Sequence, residues 1–170
     1  GVGRAVIQLA RHFGAEVFAT GSERSRKVIE QAGATFIDSG EAVVDYVGRL
    51  TGGGFDLAYD TIGGAGLDAS FQAVKKFGHV VSALGWGTHL LAPLSFKAAS
   101  YSGVFTLMPL LTGEGRRHHG EILRKAAQLV EAGELTPNIS AERFTLKTVF
   151  EAYQAAADRR SRSKVAVDVD

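Results

Sequence analysis

From residue 4 to residue 84 the sequence switches between helical and strand patterns every few residues, with glycine at most of the joints. The periodicity predicts helices over 4–13, 23–32, 43–50 and 67–76, and short apolar strands over 16–20, 35–38, 55–60 and 79–84. Gly14, Gly33 and the run Thr51-Gly52-Gly53-Gly54 stop helices, because glycine takes the left-handed conformation that ends them. Strand, helix and strand joined by loops of a few residues can close only as right-handed parallel crossovers. The strands lack strict alternation, as strands covered on both faces do. The expected fold is therefore α/β, a doubly wound parallel sheet. After Gly85 the rhythm changes. Extended pieces are expected over 93–96 and 103–108, a helix over 121–132, a second from Thr145, and a final strand over 164–169. A length of 170 residues suits one domain spanning 1–170.

The opening Gly1-Val2-Gly3 runs straight into the first helix. A glycine turn at a helix N-terminus offers bare N–H groups and the positive end of the dipole to a phosphate. The turn also has a plainer reading, as a packing turn. In dinucleotide-binding folds such a turn follows a buried strand, and an acidic residue about 20 positions later binds the adenosine ribose. No strand pattern precedes Gly1, so the fold is expected to lack its first strand in this chain. No acid stands at Thr20-Gly21-Ser22 either; beyond Ser22 come Arg24, Arg26 and Lys27, with only Glu23 as an acid among them. Small and basic residues there suit a 2′-phosphate, which favours NADP(H) over NAD(H). The same residues also read as the solvated start of a helix.

Several ordered segments together resemble the medium-chain dehydrogenase/reductase superfamily, in its quinone oxidoreductase and zinc-type alcohol dehydrogenase-like branch. Gly1-Val2-Gly3 with Gln8-Leu9-Ala10 is similar to the end of its Gly-x-Gly-Gly-Val-Gly-x-x-x-x-Gln-x-Ala pattern. Ala32-Gly33-Ala34 before Ile37-Asp38, the stretch Phe55 to Gly64 containing Asp60, the Gly78 strand and Ser163-Lys164-Val165 resemble its later segments in the same order. The resemblance implies a Rossmann-like cofactor-binding part whose last 50 or so residues, about 120–170, pack toward an N-terminal catalytic domain. It implies that Gly1, Val2 and Gly3 lie against the pyrophosphate, and that Ser22 with Arg24 or Arg26 lies near the 2′-phosphate. Thr61, Ile62 and Gly63 would border ribose and nicotinamide, Leu84 and Gly85 would leave the next strand at the same edge, and Phe105 and Lys164 would approach the cofactor. Two positions depart from the pattern: Ser39 stands where tyrosine is common, and Ser163 replaces the glycine before Lys164.

The activity implied is hydride transfer between a nicotinamide cofactor and a quinone, enone, alcohol or other carbonyl compound, with a small-molecule substrate in the intact enzyme. No catalytic residue is assigned to this chain, and whether the intact enzyme uses zinc is not legible. The alternatives are a non-catalytic NADP(H)-binding or sensing module and a methyltransferase-like α/β domain using the same glycine turn for a nucleoside cofactor. The latter fits worse, because the Gly-Gly after Asp60 and the Lys164 motif resemble the dehydrogenase pattern. The net charge of +1, from 19 basic and 18 acidic residues, sets up no global field for nucleic acid or a membrane surface. With no cysteine there is no thiolate metal site, and no apolar run approaches a membrane span of about 20 residues. A cytoplasmic protein is expected, without nucleic-acid or membrane partners. Three further constellations have plainer readings. His118-His119 with Glu121 reads as a solvated helix start rather than a metal site. Asp60, His79 and Ser82 lack the Gly-x-Ser-x-Gly elbow of a hydrolase triad, and Asp60 is expected to anchor the loop after its strand. The apolar segment 101–111 is either a homodimer edge or buried within the domain.

Overall fold

A computed structural model describes residues 1–158 and 163–169. Helix α1 covers Val2–His12, and Gly14 ends it at φ +84°. Then come β1 (Phe18–Gly21), a 3-10 turn over Glu23–Ser25, α2 (Arg26–Gln31), β2 (Thr35–Asp38), α3 (Val43–Leu50) and β3 (Phe55–Asp60). Next are α4 (Ala65–Ala73), β4 (Val74–Ser82), α5 (Ala92–Ser95) and β5 (Ser100–Gly103). The chain finishes with α6 (Met108–Thr112), α7 (Arg116–Glu131), β6 (Phe144–Thr145), α8 (Val149–Ala157) and β7 (Val167–Asp168). Every strand pair is parallel, in the orders β1-β2, β3-β4-β5 and β6-β7. The α/β class with parallel crossovers is as the alternation requires. No described helix is long and apolar enough to cross a membrane.

Three apolar clusters hold these pieces. Ile7 of α1 packs with Ile29, Ala32 and Ala34 against β1 and β2. Leu67, Phe71, Val74, Val80 and Leu94 form the core under β3, β4 and β5. Burying a side chain of this size is worth about 1.5–3 kcal/mol. A third cluster of Ile37, Tyr46 and Ala73, with Phe18 and Phe55, joins the two sheets through side chains. No ladder links β1 to β3 among the described residues. The Phe18 and Phe55 rings lie 5.4 Å apart, while Leu57 on β3 is 54% exposed.

Several boundaries differ from the sequence expectation. Helix α4 stops at Ala73 rather than continuing to 76, because Val74 is extended, fully buried and paired with Phe55. A buried β-branched residue is drawn into the ladder. Residues 75–78 then bulge out, with Phe77 at φ +61°, before pairing resumes at Leu57 and His79. The Lys97 ammonium closes the end of α4 by donating to the carbonyls of Phe71, Gln72 and Val74 at 2.5–3.3 Å. Burial holds its pKa below the ordinary lysine value. Residues 93–96 are not extended: Ala92–Ser95 is a helical turn with proline in its first turn, where no N–H is needed, and Leu94 buried. Likewise the extended piece expected over 103–108 is strand only to Gly103, and Pro109 opens α6. Helix α7 begins at Arg116, and the final strand shrinks to Val167–Asp168. The helix expected from 23 is split into a 3-10 turn and a short α2.

Candidate cofactor site

The carboxyl ends of the parallel strands are where an open α/β sheet binds ligands, and four of them end close to the residues singled out in the sequence. Gly1 caps α1 without a side-chain hydrogen bond, and no acid occupies the first turn. A Cβ added at Gly1 or Gly3 would meet nothing within 4 Å, so the turn faces open space. Free N–H groups, open space and the helix dipole are what a phosphate needs, and to this extent the residues fit a dinucleotide.

β1 ends at Gly21, and the exposed Ser22 follows, its Oγ 3.3 Å from that of Ser25. The two arginines here have different fates. Arg26 donates to both carboxylate oxygens of Glu23, at 2.7 and 2.9 Å, and lies 4.0 Å over the Phe36 ring. The hydrogen bond from Arg26 lowers the Glu23 pKa, and its charge adds to that effect. Arg24 makes no ion pair or side-chain hydrogen bond among the described residues. The structure therefore leaves Arg24 the open cation of the pair and commits Arg26 internally.

The centre of the site is one carboxylate. Asp60, 4% exposed at the end of β3, accepts from the N–H groups of Ile62 and Gly63 at 3.0–3.1 Å and from the Ser82 hydroxyl at 2.6 Å. Ser82, itself 1% exposed, accepts from the N–H of Leu84 at 3.0 Å. A single buried anion thus ties the loop Thr61-Ile62-Gly63 to the loop Ala83-Leu84-Gly85. Gly63 has φ +74°, and a Cβ there would sit 2.4 Å from the Leu84 carbonyl oxygen, so only glycine permits the approach. The N–H of Val104 donates to the Ser82 carbonyl at 2.8 Å, which brings the end of β5 alongside. Phe105 stacks edge-on against Trp86 with centroids 5.3 Å apart. Thr61, Ile62, Gly63, Leu84, Gly85 and Phe105 are thereby gathered at one edge, and Ile62 is 71% exposed. The backbone of Lys164 pairs with the preceding segment: its N–H donates to the Asn138 carbonyl at 2.7 Å and its carbonyl accepts from Ser140 at 2.8 Å.

Asp60 is the anchor the sequence suggests, and Ser82 is its partner. The triad dissolves because His79 turns away to Ser100, at 2.7 Å. The sequence reading missed the Asp68–His89 pair, 2.8 Å apart, which fastens the loop after Gly85 to α4. Nothing in a 21-residue spacing across a turn signals that contact. His118 is 73% exposed, beside Glu121 at 3.8 Å. The segment 101–111 is not buried within the domain: Leu107, Met108, Leu110 and Leu111 are 46–68% exposed.

The profile of the family described as zinc-binding dehydrogenase matches residues 1–114. An alcohol dehydrogenase superfamily protein from Novosphingobium aromaticivorans is 51% identical and superimposes with a TM-score of 0.90 over 99% of this chain and 53% of its own. The spectinabilin polyketide synthase system protein NorB of Streptomyces orinoci is 31% identical over 97% of this chain, which spans 8% of that protein. The crotonyl-CoA carboxylase/reductase AntE, solved in complex with NADP, shares the fold, with a TM-score of 0.74 at 19% identity over 98% of this chain and 46% of its own. The chain thus spans about half the length of the structures it resembles.

Proposed function

The chain belongs to the zinc-binding dehydrogenase family, within the medium-chain dehydrogenases and reductases, and on that premise we propose that it binds NADP(H) along the edge organised by Asp60. The enzyme of which this fold is a part transfers hydride to or from a quinone, enone, alcohol or other carbonyl compound. The cofactor supplies the hydride chemistry, and the protein supplies orientation and exclusion of water. The glycine turn at residues 1–3 takes the pyrophosphate, and Ser22 with Arg24 takes the 2′-phosphate. The loops at 61–63 and 84–85, with Phe105, border the nicotinamide. Lys164 approaches the cofactor from the C-terminal segment. Among the described residues no three His, Asp or Glu side chains group to hold a metal, and the sequence has no cysteine. These residues therefore do not form a zinc site, and no step is assigned to zinc.

The observation that carries the reading is the open Arg24 beside a strand end whose one nearby acid, Glu23, is paired with Arg26. A carboxylate there would repel a 2′-phosphate, whereas a guanidinium pairs with it through charge-assisted bonds. Calorimetric titration should give tighter binding of NADPH than of NADH. Arg24→Ala should weaken NADPH about 10- to 100-fold, the worth of one charge-assisted contact, and leave NADH unchanged. Tighter binding of NADH by the unaltered chain would end the 2′-phosphate assignment, and preference for S-adenosylmethionine would end the family reading of the site. The exposed β5 edge supports a homodimer formed through 101–111. Sedimentation should show a dimer that Tyr101→Pro converts to monomer, since proline removes a ladder donor; a monomeric unaltered chain would refute it.

A further inference from the structure

A second polar site lies along the flank of α1. A cavity of about 300 Å³ opens between one face of α1, the end of α2 and the turn after α7, lined by Arg4, Gln8, Arg11, His12, Glu134 and Thr136 among others. That volume is far beyond the 10–15 Å³ or so that one water requires and lies at the low end of small-molecule sites, about 300–1,000 Å³. The walls are built rather than incidental. The Gln8 side chain accepts from the N–H of Thr136 at 2.8 Å and donates back to its carbonyl at 3.4 Å, which pins the turn to the helix. Arg11 lies directly over Gly33, where a Cβ would meet its guanidinium at 1.8 Å. His12 engages Glu134 at 3.5 Å.

Two cations in this wall are left over. The Nε of Arg4 is buried without a hydrogen-bond partner, and neither Arg4 nor Arg11 makes a side-chain ion pair among the described residues. Burying a guanidinium N–H without an acceptor is costly, and the one carboxylate lining the cavity is already engaged by His12. We propose that this cavity binds a small oxyanion, a phosphate or carboxylate group held between the guanidiniums of Arg4 and Arg11. Arginine offers paired donors that match either group. Arg11 stands eight residues beyond Gly3, about 12 Å along the helix axis, whereas Arg4 follows Gly3 directly, so the cavity runs from beside the glycine turn to the far end of the helix.

The test titrates inorganic phosphate and, separately, citrate into the unaltered chain, with chloride at matched ionic strength as the blank. The tighter anion tells a phosphate from a carboxylate ligand. Saturable shifts are expected in the amide resonances of the Gln8 side chain and Thr136, and Arg11→Gln should weaken binding by at least about tenfold. Arg117→Gln, 92% exposed on α7, should leave binding unchanged. Absence of saturable binding by either anion, equal binding by the Arg11 variant, or shifts confined to residues 1–3 and 22–24 would overturn the proposal. The last outcome would place the anion in the cofactor site. If Arg11→Gln fails to fold, the shift map of the unaltered chain decides alone.

Discussion

Asp60→Ala should destabilise the domain by about 3–4 kcal/mol, read as a lower denaturant midpoint at unchanged slope. The carboxylate serves the N–H groups of Ile62 and Gly63 and the hydroxyl of Ser82. Alanine would strand all three donors, of which Gly63 and Ser82 are buried. Each buried polar group left without a partner costs about 1–3 kcal/mol, and water reaching the exposed Ile62 recovers part of the loss. Asp60→Asn keeps the volume and one oxygen acceptor, and should cost about half as much. Function should follow geometry. With both loops released, affinity for NADPH should fall even though Arg24 and the glycine turn are untouched. An Asp60→Ala protein of unaltered stability would show that the loops are held by something other than this carboxylate.

The second large effect lies one layer deeper. Phe71→Ala should cost about 3–5 kcal/mol, as removal of a buried aromatic ring from a packed core does. Phe71 is 2% exposed among Leu67, Val74, Val80 and Leu94. Its ring meets the edges of Tyr101 at 5.9 Å and His89 at 6.1 Å. The cavity would therefore undermine β5 and the loop after Gly85 as well as the core. Phe71→Leu, which fills most of the space, should cost less than about 1.5 kcal/mol. Equal stability of the two variants would show that the site collapses around the gap.

The sequence made the fold class legible because alternation with short glycine joints admits one handedness and one kind of sheet. Strand β3 and helix α3 fall on their expected bounds, since each has strong apolar spacing and a glycine break beside it. The end of α4 was hidden for a physical reason. Lys75 and Lys76 suit a helix, but burial of Val74 outweighs their propensity. The site was legible in part. Glycines and Asp60 announce themselves by type and order, whereas the different fates of Arg24 and Arg26 rest on Glu23 and Phe36. A positive charge in a sequence does not say what it is bound to. The Asp68–His89 contact and the α1 cavity arise from chain segments far apart in number, where spacing carries no signal.

The side-chain seam between the two main sheets has a mechanical meaning. The glycine turn and Ser22 belong to the leaf of β1 and β2, while the Asp60 loops belong to the leaf of β3, β4 and β5. No described backbone ladder crosses the seam, and the buried cluster of Ile37, Tyr46 and Ala73, with Phe18 and Phe55, is what joins the leaves. A dinucleotide spanning both leaves would add a polar tie to that apolar one.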